Sequence, residues 1–337
     1  MLKRRLCEAR FTWRLACEGP LLIADGRYEK KKDETKKGKN PDKVFICRAP
    51  QKDVEKAIEY ARTAADVRLP FYVPGTSLRG PVRARAERIL RTLIPGDPPA
   101  SACDPFQNEP GKTPQSCSKR LDETHADVPY AVACPACRLF GCTGTASRIL
   151  ISDADVKGGR SVFRDMIGID RFTGGVFQGE MDDAGEKKKS GGANMRFHAL
   201  EGATFSTEIA ITNFELWQLG LLAFVFRDFE EGLVSIGFGK TKGLGQVKGT
   251  IEKIHLVYPA GRQAGRVQHL SSLASAEERT RYGLHPSEAP EIAMKRAQEA
   301  GRLQLFETFE VQDAGAFWDA VAPSFTDFVA AKQREAA

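Results

Sequence analysis

No run of apolar residues in this 337-residue chain is long enough to cross a bilayer, so no membrane partner is expected. The basic opening, RRLCEARFTWRLACEG, is broken by Arg and Glu before an apolar stretch develops, so a secretory signal is not expected either. Histidine is scarce: there are five, with His125 and His198 in expected loops and the other three beyond position 250. A nuclease that works through histidine without a metal therefore has little to draw on. The GxxxxGK[ST] phosphate loop is missing. The dinucleotide-binding fingerprint fails too, because the Gly-rich stretch of this chain runs into a strand rather than a helix. No HExxH pair or deaminase-type Glu pairing accompanies the cysteines, and no internal repeat is visible.

What is present is globular composition, 42% hydrophobic and 28% charged, enough for one large core or two modest ones. The net charge of +6 matters through its placement. Lys30, Lys31, Lys32, Lys36, Lys37, Lys39 and Lys43 crowd one segment, and five arginines crowd residues 79–91. Eight cysteines without an export signal read as thiols or metal ligands in a reducing, cytoplasmic setting.

Residues 10–17, RFTWRLAC, alternate as a half-buried strand, and LLIA at 21–24 extends or follows it. Residues 25–43 form a polar, lysine-rich loop, and a short helix is expected over 52–66. In FYVPGTSLRGPVRARAERIL, an extended Pro- and Gly-containing turn leads into a helix. Leu78, Val82, Ala86, Ile89, Leu90 and Leu93 carry its apolar spacing, and it stops before Pro95. Residues 95–135 are rich in Pro, Cys and Ser and need their own brace. SRILISDADV (147–156) is a strand, residues 160–200 a long hairpin, and TFSTEIAIT (204–212) another strand. An apolar helix (214–230), the loop SIGFGKTKGLGQVKG and a strand at 246–257 follow. From about 260 the chain reads as helical and polar, packed as an appendage. The order predicts an α+β fold, a sheet with helices on one face, in a core over 1–257 and an extension over 258–337.

Cys134 and Cys137 form CPAC, whose short loop lets both thiolates reach one tetrahedral ion, and Cys103 and Cys117 lie upstream. A structural zinc would order a segment that cannot bury a core of its own; His125 and Cys142 are spare ligands. The glycines of GFGKTKGLG (237–245) permit close approach to phosphate, with Lys240 and Lys242 supplying charge, although a turn with solvated lysines explains them as well. Ser77, Arg79 and Arg83 stand at a helix start, which suits an anion. Two such sites without a nucleotide fingerprint favour a polyanion. In MIGIDRFTGGVFQG, Arg171 and Phe172 could pair a phosphate contact with a stacking surface. Asp25, Asp33, Glu34 and Asp42 in the basic loop either balance charge or hold Mg²⁺ at a bound phosphate.

Four stretches, in this order, resemble the RAMP superfamily of CRISPR-associated proteins. VPGTSLRGPVR is similar to the family's IPGSSLKG-type loop and first helix; LFG (139–141) before ASRILISDADV is similar to its LFG segment. IDRFTGGV resembles its thumb sequence, and GFGKTKGLGQV its C-terminal glycine-rich signature. The fullest resemblance is to the backbone subunit of type III effector complexes. It implies a ferredoxin-like, modified RNA-recognition-motif palm with a β-hairpin thumb, in an antiviral defence complex with other RAMP and large subunits. It also implies binding of guide RNA and cleavage of a complementary target RNA. In that chemistry a loop aspartate and Mg²⁺ promote attack by the neighbouring 2′-hydroxyl. PDKVFI makes Asp42 the matching carboxylate, with Asp25, Asp33 and Glu34 left open. CPxCxLFG resembles zinc-bearing members with an insertion like that at 95–142. A silent guide-binding scaffold, and a metal-independent endonuclease that processes the guide precursor, are the alternatives.

Overall fold

The computed structural model describes residues 3–28, 41–48, 71–107, 115–124, 127–176, 195–261, 265–297 and 305–336. Alternation in EARFTWRLAC (β1, Glu8–Cys17) sends Ala9, Phe11, Trp13 and Leu15 into the core and leaves Arg10 and Arg14 exposed. The buried side meets helices: Phe11 stands edge-on to Phe226 at 6.1 Å, and Trp13 edge-on to Phe229 at 4.9 Å. One face of the sheet is thus roofed by helices, as the element order predicts.

After β1 come β2 (Tyr72–Val73) and α1 (Gly75–Leu93), then three short helices, α2 (Cys117–Thr124), α3 (Pro129–Val132) and α4 (Pro135–Phe140). Strands β3 (Ile149–Ile151) and β4 (Ala154–Lys157) lead to the hairpin of β5 (Arg160–Met166) and β6 (Met195–Glu201). Strand β7 (Thr204–Thr212), helix α5 (Leu216–Glu230) and strand β8 (Val247–Pro259) follow. The rest contains α6 (Leu270–Leu273), α7 (Ala276–Tyr282), β9 (Met294–Arg296), β10 (Phe306–Val311) and α8 (Ala314–Ala336). The main sheet runs β2–β4–β7–β1–β8–β10–β9, all antiparallel, with β3 also on β7.

The strand expected over 147–156 is broken between β3 and β4. The break admits the start of α1: a Cβ on Gly75 would lie 2.0 Å from the Ile151 carbonyl oxygen. The tail departs further from expectation. It holds two strands that widen the sheet beside β8, and α8 lies along α5, with Phe328 stacked on Trp217 at 4.2 Å. Phe309, Phe317, Val321 and Phe325 share one buried cluster with Phe11 and Trp13. The tail is therefore mixed rather than helical, because Phe309 and Val311 alternate inward over a stretch too short to announce a strand. The expected boundary at 257/258 falls inside β8. The helix expected over 52–66 lies outside the described residues.

Candidate metal centre and nucleic-acid interface

Cys103, Cys117, Cys134 and Cys137 converge. Their sulfurs all lie within 4.8 Å of one another, all four residues are buried, and none is disulfide-bonded. Cys103 and Cys137 Sγ are 3.6 Å apart. A tetrahedral ion with metal–sulfur bonds of about 2.3 Å would hold its sulfurs roughly 3.8 Å apart, so the four residues fit such an ion. The local chain explains the convergence. Cys134 caps α4 and accepts the Cys137 amide at 3.5 Å, with Pro135 pre-setting the first turn. Gly141 then turns with φ +74, where a Cβ would meet Ser147 N at 2.6 Å. Further amides reach the sulfurs, from Cys103 to Cys134 at 3.4 Å and from Cys134 to Cys117 at 3.3 Å. Hydrogen bonds with the other thiols, that of Cys103 first, hold Cys117 well below the ordinary thiol range. Cys142 is not one of these four; it is half-buried at their edge, with its thiol hydrogen-bonded to that of Cys137 and its backbone paired to Thr145. His125 lies outside the described residues.

Two of the arginines assigned to an anion at the α1 start face this cysteine knuckle. Arg79 donates to the Phe140 carbonyl. Arg83 donates to Glu87 at 2.7 Å, to the Gly141 carbonyl at 3.1 Å and to Cys137 Sγ at 3.6 Å. Glu87 also accepts from Arg91, which donates to the Cys103 carbonyl at 2.6 Å. Residues 79, 83, 87 and 91 recur every four positions, so they form one ridge along α1. At the helix start the Gly75 amide donates to Asp153 Oδ1 at 2.9 Å, so a carboxylate of the protein already uses that anion-favouring position. Ser77 is half-exposed in the first turn, its amide bonded to the Pro74 carbonyl.

The glycine loop sits elsewhere, over the segment that follows β1. Phe238 N donates to the Leu22 carbonyl at 2.7 Å and Gly245 N to that of Pro20 at 2.8 Å. Gly237 and Gly245 both have positive φ, and a Cβ would lie 2.4 Å from Leu22 O and 2.0 Å from Ile236 O. These two glycines are thus required by packing. Lys240 and Lys242 project from the intervening 3₁₀ turn and are exposed; Lys242 Nζ lies 5.6 Å from the Phe197 ring centre. Between this loop and the α1 start lies a strip of chain, through the bridges Ala24–Phe45 and Cys47–Phe71.

Asp42 belongs to this strip and is tied to β6 near the outer end of its ladder with β5. Its amide donates to the Arg196 carbonyl at 2.6 Å, and its Oδ2 accepts the Arg196 amide at 2.7 Å. The next residue, Lys43, is exposed and bridges to Phe197. Asp25 is buried; although burial opposes its charge, hydrogen bonds from the Arg27 side chain and backbone hold its carboxyl below the usual range. Asp33 and Glu34 lie outside the described residues. In the turn that follows β5, closed by the Ile169–Val176 bridge, Asp170 Oδ1 accepts the amides of Phe172 and Thr173, and this turn leaves the Phe172 ring fully exposed beside exposed Arg171. His198, expected in a loop, is instead a fully buried residue of β6. Sequence reasoning missed Arg120, Glu87, Arg91 and Asp153; the four-residue spacing along α1 was the available signal for two of them.

A helix-roofed antiparallel sheet, a four-cysteine knuckle and a hairpin beside a lysine-bearing glycine loop define a mixed α/β protein. The model of the RAMP superfamily matches residues 14–248, and the chain belongs to that superfamily. That makes it a CRISPR-associated, RNA-binding protein. No curated protein matches the chain. Among the described residues no helix is long and apolar enough to cross a membrane.

Proposed function

We propose that the chain is the guide-RNA-binding backbone subunit of a type III CRISPR effector complex and that it cleaves complementary target RNA at Asp42. The reading includes a ferredoxin-like palm, a β-hairpin thumb and a structural zinc. The palm is supported by the order β1, α1, β3/β4, β7, α5, β8, laid out as β4–β7–β1–β8. Zinc is supported by four buried cysteine sulfurs, the donor set that it favours in closed sites.

The observation that carries the reading is the clasp between Asp42 and Arg196. It fixes a half-buried carboxylate against β6, at the outer end of the β5–β6 ladder, the end from which the chain leaves β5 toward the turn that exposes the Phe172 ring. A splayed nucleotide stacked on such a ring has its 2′-oxygen free to move in line with the next phosphate. Asp42 would help hold Mg²⁺ there, and the ion would neutralise charge developing on the phosphate. Mg²⁺ is held by one or two carboxylates together with substrate phosphates, so a single fixed aspartate suffices. Lys43, Lys240 and Lys242 flank the same strip and suit the backbone of an A-form duplex, which is gripped by shape and charge. Arg171 and Phe172 in the turn after β5, and Ser77 at the α1 start, complete the proposed RNA contacts; Arg79 and Arg83 are assigned to the knuckle instead.

The test is purification with co-expressed guide RNA, followed by cleavage assays on Asp42→Asn, which keeps the acceptor for the Arg196 amide. Guide RNA should co-elute with both proteins, and target cutting should fall at least about 100-fold in the variant. The engaged Oδ2 of Asp42 favours a second reading, a guide-binding scaffold without its own cleavage. No cutting by the parent would favour the scaffold, and undiminished cutting by Asp42→Asn would assign cleavage to another carboxylate or another subunit.

A further inference from the structure

Arginines from two helices reach the cysteine knuckle. Two guanidinium groups from different helices place an N–H on two different ligand sulfurs. Arg83 of α1 reaches Cys137 Sγ at 3.6 Å, and Arg120 of α2 reaches Cys117 Sγ at 3.4 Å. Each is anchored by carbonyls: Arg83 by Gly141 at 3.1 Å and Arg120 by Val132 at 2.5 Å. Four thiolates around a divalent ion leave two excess negative charges in a buried site, where uncompensated charge is costly. Glu87 touches Arg83, but it is shared with Arg91, so that trio retains one net positive charge.

We propose that Arg83 and Arg120 are positioning residues of the metal centre. They place positive charge beside a tetrathiolate divalent ion and hydrogen-bond the sulfurs of Cys137 and Cys117. The inference rests on the metal reading above and extends it to residues outside the ligand set. Hydrogen bonds to a ligating thiolate draw electron density from it and restrict its orientation, and partners of this kind are worth about 10- to 100-fold in metal affinity. The arginine face of α1 is then a metal-site element, distinct from the lysines of the glycine loop. Arg83 joins the ion to the α1 ridge, and Arg120 lies one turn after its own ligand, Cys117.

The experiment uses the full chain with Zn²⁺ or Co²⁺ as the probe. Zinc affinity is measured by chelator competition for the parent, Arg83→Gln, Arg120→Gln and Arg83→Lys. The cobalt-loaded proteins report thiolate-to-metal charge transfer. Arg85→Gln is the control, since Arg85 lies on the same helix but pairs with Asp228 at 2.6 Å. Each Gln variant should bind zinc about 10- to 100-fold more weakly, with a shifted charge-transfer band, while Arg85→Gln keeps both parent values. Arg83→Lys retains the charge and should recover part of the affinity. A parent without a tetrathiolate cobalt spectrum overturns the metal reading itself. A parent with that spectrum, and Gln variants matching it in affinity and band position, overturns only the role given to the arginines. Should Arg83→Gln fail to fold, Arg120→Gln tests the same role from a separate helix.

Discussion

At His198 the hydrogen-bond pattern settles a protonation state. Nδ1 accepts the Phe45 amide at 3.2 Å, so the ring proton sits on Nε2 and is donated to Ser161 Oγ. The ring is fully buried between Phe71 and Phe163, and burial lowers its pKa from the ordinary 6.5 to about 4. His269 is shifted to about 4 by burial as well, with Nε2 directed at the Ser287 carbonyl. Both folded values are depressed, so between pH 6.5 and 4 the unfolded chain binds more protons. Stability should fall across that window and level off below it, by on the order of 3 kcal/mol per histidine. Urea midpoints at pH 7 and pH 4.5 check this; equal midpoints would contradict it. Asp25 acts lower on the scale, because Arg27 holds its carboxyl below the usual range.

Helix α5 contains Gly220 within a wholly apolar stretch, at a propensity cost of about 1 kcal/mol relative to alanine. The cost is offset by the approach of α8: a Cβ at 220 would lie 2.8 Å from both the Val321 carbonyl oxygen and Phe325 Cβ. Gly220→Ala should therefore destabilise by about 1–3 kcal/mol, despite better helix propensity, and the urea midpoint measures it. The knuckle gives a second expectation at this scale. Cys134 is at once a ligand candidate, the cap of α4 and the acceptor of two amides. Cys134→Ser should reduce bound zinc from one ion per chain to well below one by mass spectrometry; unchanged stoichiometry would remove the centre.

These elements also mark how far the sequence is readable. The CPAC spacing, with two more cysteines nearby, names the four that converge, because short loops constrain ligand geometry. Strand β1 and the hairpin are legible because period-2 alternation and glycine turns are local signals. Arg79 and Arg83 were not legible. An arginine on a helix looks the same whether it faces solvent phosphate or a neighbouring carbonyl, and only the packing of α4 against α1 decides. The α1 start was misleading for a similar reason: Asp153, some eighty residues away in sequence, reaches its first amide.

For the whole molecule, the tail beyond β8 is part of the core rather than an ornament on it. Phe309, Phe317 and Phe325 are almost fully buried in the cluster that contains β1. Ending the chain after Gln312 would strip α8 from α5 and uncover Trp217, Phe224 and Phe226, which pack on Phe328, Phe325 and Trp318 of α8. Each large apolar side chain uncovered costs roughly 1.5–3 kcal/mol, and native stability totals only about 5–15 kcal/mol. The truncated protein should lack a cooperative thermal transition in calorimetry, whereas an independent core ending near 257 would retain one. Family membership over 14–248 does not reach this tail, so its contribution is visible in three dimensions alone.

Strand β1 is flanked by β7 on one side and β8 on the other. Some 190 residues must leave the ribosome before the first of these partners begins, and about forty more before the second, while the aromatic side of β1 waits for α8 last of all. Nearly every step of sheet assembly closes a long loop, which predicts slow folding and a nascent chain with Phe11 and Trp13 uncovered for most of its synthesis.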